Sequence, residues 1–250
     1  MIYVNEIDPY CAAWLQNLMD ADVLPRGHID TRSIEDVTPN DLAGYAQCHF
    51  FAGLGGWIHA LDLAGWPRDR PVWTLSPPCQ PFSAAGKGAG FADERDLWPA
   101  GQHLIAQRKP PVVFVEQVAP AIKHGWLDRT VSDLEGLCYA CWAAVLQASG
   151  AGAWHKRDRV WIVADAEWDK QPRQEPCRWP AGRMGRFQQS VPRDTAWPDA
   201  LARLRALDDG LPRCVAATDA ARNAIVPQVA AAFVASYLEG EGFTAIEAAA

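Results

Sequence analysis

Short apolar runs alternate along the chain with stretches of helical period, the pattern of a sheet built from strand-helix-strand units. The apolar runs predict strands at Ile2–Asn5, Gln47–Phe51, Val72–Leu75, Val112–Val115, Tyr139–Leu146 and Val160–Ala164, with a weaker one near Gly27–Ile29. Most end in a polar or glycine-rich loop. Helical patterning predicts helices near Pro9–Met19, Trp57–Ala64, Asp96–Gln107 and Leu127–Leu134, and again at Pro198–Leu207 and Val226–Leu238. Pro9 opens the first of these, where a missing N–H breaks no intrahelical bond. From Asp165 to about Trp197 the period stops and Pro, Arg, Gln and Trp dominate, which reads as an irregular insert. The expected fold class is α/β, and no internal repeat interrupts it.

Composition narrows the picture. With 250 residues, 49% hydrophobic and 21% charged, the chain suits one domain with at most a small appendage, which excludes wholesale disorder and a collagen-like fibre. No run of about 18 uncharged apolar residues appears, and Glu6 and Asp8 stand where a secretory signal would be basic and then apolar. A soluble, cytoplasmic chain without a membrane partner is expected. The seven cysteines are odd in number and scattered, so reduced thiols are expected rather than a disulfide framework. Cys138 and Cys141 form a Cys-x-x-Cys without a second pair at zinc spacing, so no metal is expected. The net charge of -7 is unevenly spread. Residues 1–45 carry eight acids against Arg26 and Arg32, whereas Lys170 to Arg193 holds six cations against Glu175 alone. An acidic front and a basic later insert imply different tasks.

Two segments carry candidate chemistry. Phe51-Ala52-Gly53-Leu54-Gly55-Gly56 lies between a predicted strand and a predicted helix, where glycines let backbone approach a ligand at a helix N-terminus. It departs from the dinucleotide fingerprint: Ile58 stands where the third glycine belongs, and the next strand ends at Leu75-Ser76 without an acid, which argues against a nicotinamide cofactor. Ser76-Pro77-Pro78-Cys79-Gln80-Pro81-Phe82-Ser83 follows the next strand. A lone cysteine is usually a small buried hydrophobe. A proline-braced polar loop at a strand end is instead where a thiol is exposed and positioned as a nucleophile.

These segments resemble the cytosine-C5 DNA methyltransferase family, whose hallmarks are a Phe-x-Gly-x-Gly-Gly loop and a Pro-Cys-Gln loop. The likeness continues through Asp93-Glu94-Arg95-Asp96-Leu97, through Val115-Glu116-Gln117-Val118, which is similar to Glu-Asn-Val, and through His155-Lys156-Arg157-Asp158-Arg159, which is similar to Gln-x-Arg-x-Arg. Arg222-Asn223-Ala224-Ile225-Val226-Pro227 resembles the family's Gly-Asn-Ala-Val-x-Pro. The order is rearranged: Tyr3 to Tyr10 and His28 to Ile34 resemble segments that in the family follow the glycine loop. Residues 1–45 are therefore expected to supply two strands of one sheet. Strand reordering is tolerated if crossovers stay surface-routed.

The resemblance implies a Rossmann-like, mostly parallel sheet of the S-adenosylmethionine-dependent methyltransferase type. Residues 1–164 and 216–250 would form the catalytic domain and 165–215 a small target-recognition region. Cys79 would attack C6 of a flipped-out cytosine, Glu116 would act at N3 and the exocyclic amine, and Arg159 would hold the base. Arg157 and Arg159, two apart before a strand, project to one side in extended geometry, so one could hold the cytosine O2 and the other a backbone phosphate, the ordinary alternative being two solvated cations at a strand start. S-adenosylmethionine is the implied cofactor. Phe51 would stack on its adenine, residues Gly53 to Gly56 would approach its methionine portion, Glu6 would take the ribose hydroxyls and Asp30 the adenine amine. Ala52, Leu54, Ile7, Thr31, Pro78, Leu97, Asn223 and Ala224 complete the expected cofactor site. Ordinary alternatives stand beside these roles: Phe51 as core, Glu6 and Asp30 as surface acids, and Asn223 as a helix cap.

Double-stranded DNA is the expected partner of a monomer, through Gln80, Ser83 and Lys87 and through Arg173, Arg178, Arg183 and Arg186 of the basic insert. Trp168, Trp179 and Trp197 there could contact bases or pack the insert. About fifty residues present few side chains to base edges, which predicts a target of few base pairs. His49, Gln117, His155 and Arg222 replace the family's Asp, Asn, Gln and Gly. Two other readings stand beside this one, an RNA cytosine-C5 methyltransferase and a non-catalytic DNA-binding relative.

Overall fold

A computed structural model describes residues 1–78, 96–151, 157–166 and 224–247. Seven strands form one sheet: β1 (Ile2–Asn5), β2 (Gly27–Asp30), β3 (Gln47–Phe50), β4 (Val72–Leu75), β5 (Val112–Val118), β6 (Ala140–Gln147) and β7 (Asp158–Asp165). Their spatial order is β2-β1-β3-β4-β5-β7-β6. The five strands from β2 to β5 are parallel, and β7 runs antiparallel between β5 and β6. The fold class expected from the sequence, a mostly parallel α/β sheet, is therefore the one observed.

Buried parallel strands must be apolar on both faces, and β1, β3 and β4 are buried at every position. Alternation then sorts side chains to two cores. Trp73, Leu75, Val113, Val115, Val160 and Ile162 face Trp98 and Ile105 of α3 (Trp98–Arg108) and Trp126 and Leu134 of α4 (Trp126–Gly136). On the opposite face, Val72, Phe114, Trp161 and Val163 pack against Trp57 and Leu61 of α2 (Gly56–Leu63) and Val229, Ala230 and Val234 of α5 (Pro227–Glu247). Ile2 and Val4 meet Trp14, Leu15 and Leu18 of α1 (Pro9–Asp20). Asp8 caps α1, its side chain accepting the N–H of Cys11 at 2.9 Å, with Pro9 at the first helical position.

The N-terminal strands join this sheet directly. Asn5 of β1 is in register with Asp30 of β2 on one side and Phe50 of β3 on the other. The first strand of the chain thus lies beside the third, which carries the glycine turn at its end. Five strands differ in extent from the sequence reading: β2 runs one residue further, to Asp30, β7 spans Asp158–Asp165 rather than Val160–Ala164, and the limits of three others have a local cause. β3 stops at Phe50 because Phe51 turns to φ +54, a left-handed conformation costing a non-glycine residue about 1–2 kcal/mol. β5 runs on through Glu116 and Gln117 to Val118, because β7 pairs with it along that whole length. β6 starts at Ala140, after Cys138 has turned to φ +67 and left the strand.

Candidate active site

Parallel direction decides where the chemistry gathers. The carboxyl ends of β1, β2, β3, β4 and β5 lie on one edge of the sheet, and β7, running the other way, begins at that edge. Open α/β sheets bind ligands outside the carboxyl ends of their strands. Glu6, Asp30, Phe51 to Gly56, Ser76 to Pro78, Glu116, Arg157 and Arg159 all stand there.

Glu6 follows β1 directly and is buried. Its Oε2 accepts the N–H of Gly53 at 2.6 Å and its Oε1 the N–H of Asp8 at 2.9 Å. Burial raises its pKa against the opposing pull of these two N–H groups. Gly53 has φ +53 and nothing within 4 Å of where a Cβ would stand, so open space lies above the turn that Glu6 braces. Ile7, next to Glu6, is 63% exposed, and Phe51 is half-buried at the edge of the core. A braced carboxylate with a remaining lone pair on each oxygen, an exposed apolar side chain and an open glycine turn fit a nucleoside with vicinal hydroxyls.

Asp30, at the end of β2, is also buried, and is fully engaged. Its Oδ2 accepts the Tyr3 hydroxyl at 2.7 Å and Arg32 Nη2 at 2.6 Å, and its Oδ1 accepts the Arg32 backbone N–H and Nε, both at 3.0 Å. The Arg32 guanidinium holds this carboxyl well below the usual range, against the effect of burial. A nucleobase amine would be accepted there only in exchange for one of these donors. Neither Glu6 nor Asp30 is a surface acid. Thr31 is exposed, Ala52 is buried, and Leu54, Pro78 and Leu97 are half-buried, Leu97 immediately preceding α3.

Glu116 lies on the α2 and α5 face of β5, buried and ion-paired, with Arg159 Nε 2.8 Å from its Oε1. The antiparallel register, Val118 opposite Arg159, brings these two together diagonally. Burial raises the Glu116 pKa, opposed by Arg159, by a hydrogen bond to Ser76 and by Arg157. Arg157 stands on the same side and donates from Nη2 to the carbonyl of Ala224 at 2.8 Å, which ties the segment before α5 to this edge. Gln117 points to the opposite face. Its Nε2 donates to the carbonyl of Pro77 at 3.2 Å and its Oε1 accepts the N–H of Val118 at 2.9 Å, so it links β5 to the residue two before Cys79.

Cys79, Gln80, Ser83, Lys87, Arg173, Arg178, Arg183, Arg186 and Asn223 lie outside the described residues. Ser76, Trp57 and Arg32 stand at the site with no role there expected from the sequence. The signal for Trp57 was available: a large indole on a core face carries an N–H that needs an acceptor. Among the described residues no group of three or more His, Cys, Asp or Glu side chains could hold a metal, and no helix is long and apolar enough to cross a membrane.

The architecture defines a Rossmann-like α/β protein whose buried acids, glycine turn and paired arginines converge on one sheet edge. Residues 66–184 match the family described as C-5 cytosine-specific DNA methylase. Type II methyltransferase M.HaeII of Haemophilus aegyptius is 31% identical over 137 residues, covering 52% of this chain and 43% of its own length. M.HhaI of Haemophilus parahaemolyticus is 26% identical over 167 residues, covering 51% of each. The solved Entamoeba histolytica methyltransferase EhMeth aligns over 70% of this chain and 47% of its own, with 13% identity and a TM-score of 0.45. Over residues 66–184 the chain thus resembles C-5 cytosine-specific DNA methylases, and over about half its length it is similar to type II methyltransferases, the likeness its motifs suggested. It spans about half the length of these curated relatives.

Proposed function

We propose that the chain transfers a methyl group from S-adenosylmethionine to C5 of cytosine in duplex DNA. The observation that carries this reading is the buried Glu116–Arg159 pair at the strand edge, beside the Ser76-Pro77-Pro78 approach to Cys79. Cytosine is a poor electrophile at C6. A carboxyl acting at N3, with a guanidinium at O2, draws charge off the ring while a thiolate adds, and the raised pKa of Glu116 suits it to deliver that proton. Arg159 has two roles in sequence: it holds Glu116 before the base arrives and offers its remaining donors to the base afterwards. The target cytosine must leave the duplex to reach this edge.

Addition of the Cys79 sulfur to C6 places electron density on C5, and S-adenosylmethionine supplies an electrophilic methyl there. Transfer breaks the donor's sulfur–methyl bond and leaves S-adenosylhomocysteine, after which loss of the C5 proton to a base, return of the N3 proton to Glu116 and expulsion of the Cys79 thiolate from C6 restore the aromatic ring. Glu6 would hold the donor's ribose hydroxyls, Phe51 would cover its adenine, and the turn at Gly53 would leave room for its amino-acid end. The Arg157 bond to the Ala224 carbonyl ties the start of the segment leading into α5 to the same edge.

The test is transfer of labelled methyl from S-adenosylmethionine to plasmid DNA, followed by bisulfite sequencing. Methylation of cytosines within a short common motif is expected, absent in Cys79→Ser. Transfer confined to transfer RNA would move the substrate to RNA, and no transfer to either would overturn the reading.

A further inference from the structure

Beside the Glu116–Arg159 pair, a tryptophan and a serine stand in line toward the same carboxyl. Trp57, in the first turn of α2, is 3% exposed, with its ring stacked on Phe114 at 5.8 Å and edge-on to Trp161 at 5.3 Å. That packing fixes the indole plane. Its Nε1 donates to Ser76 Oγ at 3.1 Å. An indole N–H can only donate, so the serine oxygen is the acceptor in this bond and keeps its own proton for a second partner. The Glu116 carboxyl is the partner in place: Ser76 and Glu116 stand side by side, each one residue past the Leu75–Val115 pair of β4 and β5, and the serine hydroxyl is among the groups that draw the Glu116 pKa down. A line of three groups, each on the same sheet face, therefore runs from α2 through the end of β4 to β5.

We propose that Ser76, held by Trp57, is a positioning residue whose hydroxyl aims the Glu116 carboxyl at the cytosine and shares that carboxyl with Arg159. The inference rests on the methyl-transfer reading for its use, and on the hydrogen-bond chain for its existence. The groups facing Glu116 are Arg159 of β7, Arg157 just before it and Ser76 at the end of β4. An O–H donated to a carboxylate favours the anion, as do both arginines, while burial favours the neutral acid. Ser76 thus keeps Glu116 from binding its proton too firmly to give it up. In Ser76→Ala the burial effect is opposed only by the arginines, and Glu116 should titrate at higher pH.

The experiment follows the Glu116 carboxyl by carbon-detected NMR titration of the full chain, the signal being identified by its absence in Glu116→Gln. Ser76→Ala is expected to raise the midpoint by about one pH unit, the scale of one hydrogen bond to a charged group. Ser76→Thr, which keeps the hydroxyl, should return it toward the wild-type value. Trp57→Phe, which keeps the ring and removes the donor, should shift it upward by a smaller amount and reports independently of how well Ser76→Ala folds. The alkaline limb of the methyl-transfer pH profile should move in parallel, with KM for DNA unchanged. A midpoint unmoved in both Ser76→Ala and Trp57→Phe overturns the proposal. A midpoint that moves in a protein without methyl transfer overturns the functional reading alone.

Discussion

Replacing Glu6 by Gln separates its two tasks, bracing the glycine turn and holding a ligand. Glutamine is isosteric but has one acceptor oxygen, whereas Glu6 uses both, at 2.6 Å for Gly53 and 2.9 Å for Asp8. One N–H therefore faces an amide NH₂ in the variant. Losing a hydrogen bond to a charged group costs about 1.5–3 kcal/mol. Against that, burial already penalises the ionised carboxyl, and a neutral amide relieves this penalty. The two effects oppose each other in folding, so stability should change by only about 1 kcal/mol. In binding there is no such relief. A ribose hydroxyl loses a charged acceptor outright, and affinity for S-adenosylhomocysteine should fall about 10- to 150-fold. Titration calorimetry measures the affinity, and urea unfolding the stability. An unchanged affinity would refute the assignment of Glu6 to the donor. A loss of stability as large as the loss of affinity would show that the brace alone explains the residue.

Two further outcomes follow from packing. His49 is wholly buried in β3 with Nδ1 on the Thr74 hydroxyl, and burial pushes its pKa down to about 3. Below its unfolded value of about 6.5 the unfolded chain takes up a proton that the folded chain refuses, so stability falls with falling pH. Between about pH 6 and 4.5 this one group should remove about 2 kcal/mol. His49→Asn, which keeps a partner for Thr74, should lose that part of the slope in urea unfolding at the two pH values, and an unchanged slope would contradict a neutral buried imidazole. Gly56 opens α2 where an added Cβ would stand 2.6 Å from Ile225 Cγ1. Gly56→Ala should therefore destabilise by about 1–3 kcal/mol, and Ile225→Ala should relieve it in a double-mutant cycle. Strict additivity would mean that the segment before α5 does not seat on the glycine turn.

The sheet was legible because buried parallel strands are short apolar runs and little else in the chain looks like them. Tyr3-Val4-Asn5-Glu6 could be read as a sheet strand out of its expected order because an apolar run ending in an acid keeps its character wherever it is placed. The end of β5 was harder. Glu116 and Gln117 break the apolar run, and only the pairing with β7 carries the strand through them. Glu116 and Arg159 were each found by motif, yet their ion pair depends on an antiparallel register that no local pattern encodes. Asp30 shows the opposite limit. Its acid was singled out, but the Arg32 two residues later, which occupies most of its lone pairs, reads in sequence as a loop cation. Ser76 and Trp57 were hidden for a similar reason, since a serine before two prolines and a tryptophan on an apolar face look like loop and core.

The most direct measurement is a covalent trap. Duplex DNA with 5-fluorocytosine at the target position, incubated with S-adenosylmethionine, lacks the proton whose loss releases the enzyme. Mass spectrometry of the wild-type protein should find one oligonucleotide, methylated, attached to the peptide containing Cys79, and none in Cys79→Ser. Full donor binding with no adduct at Cys79, or an adduct on another residue, would contradict the account.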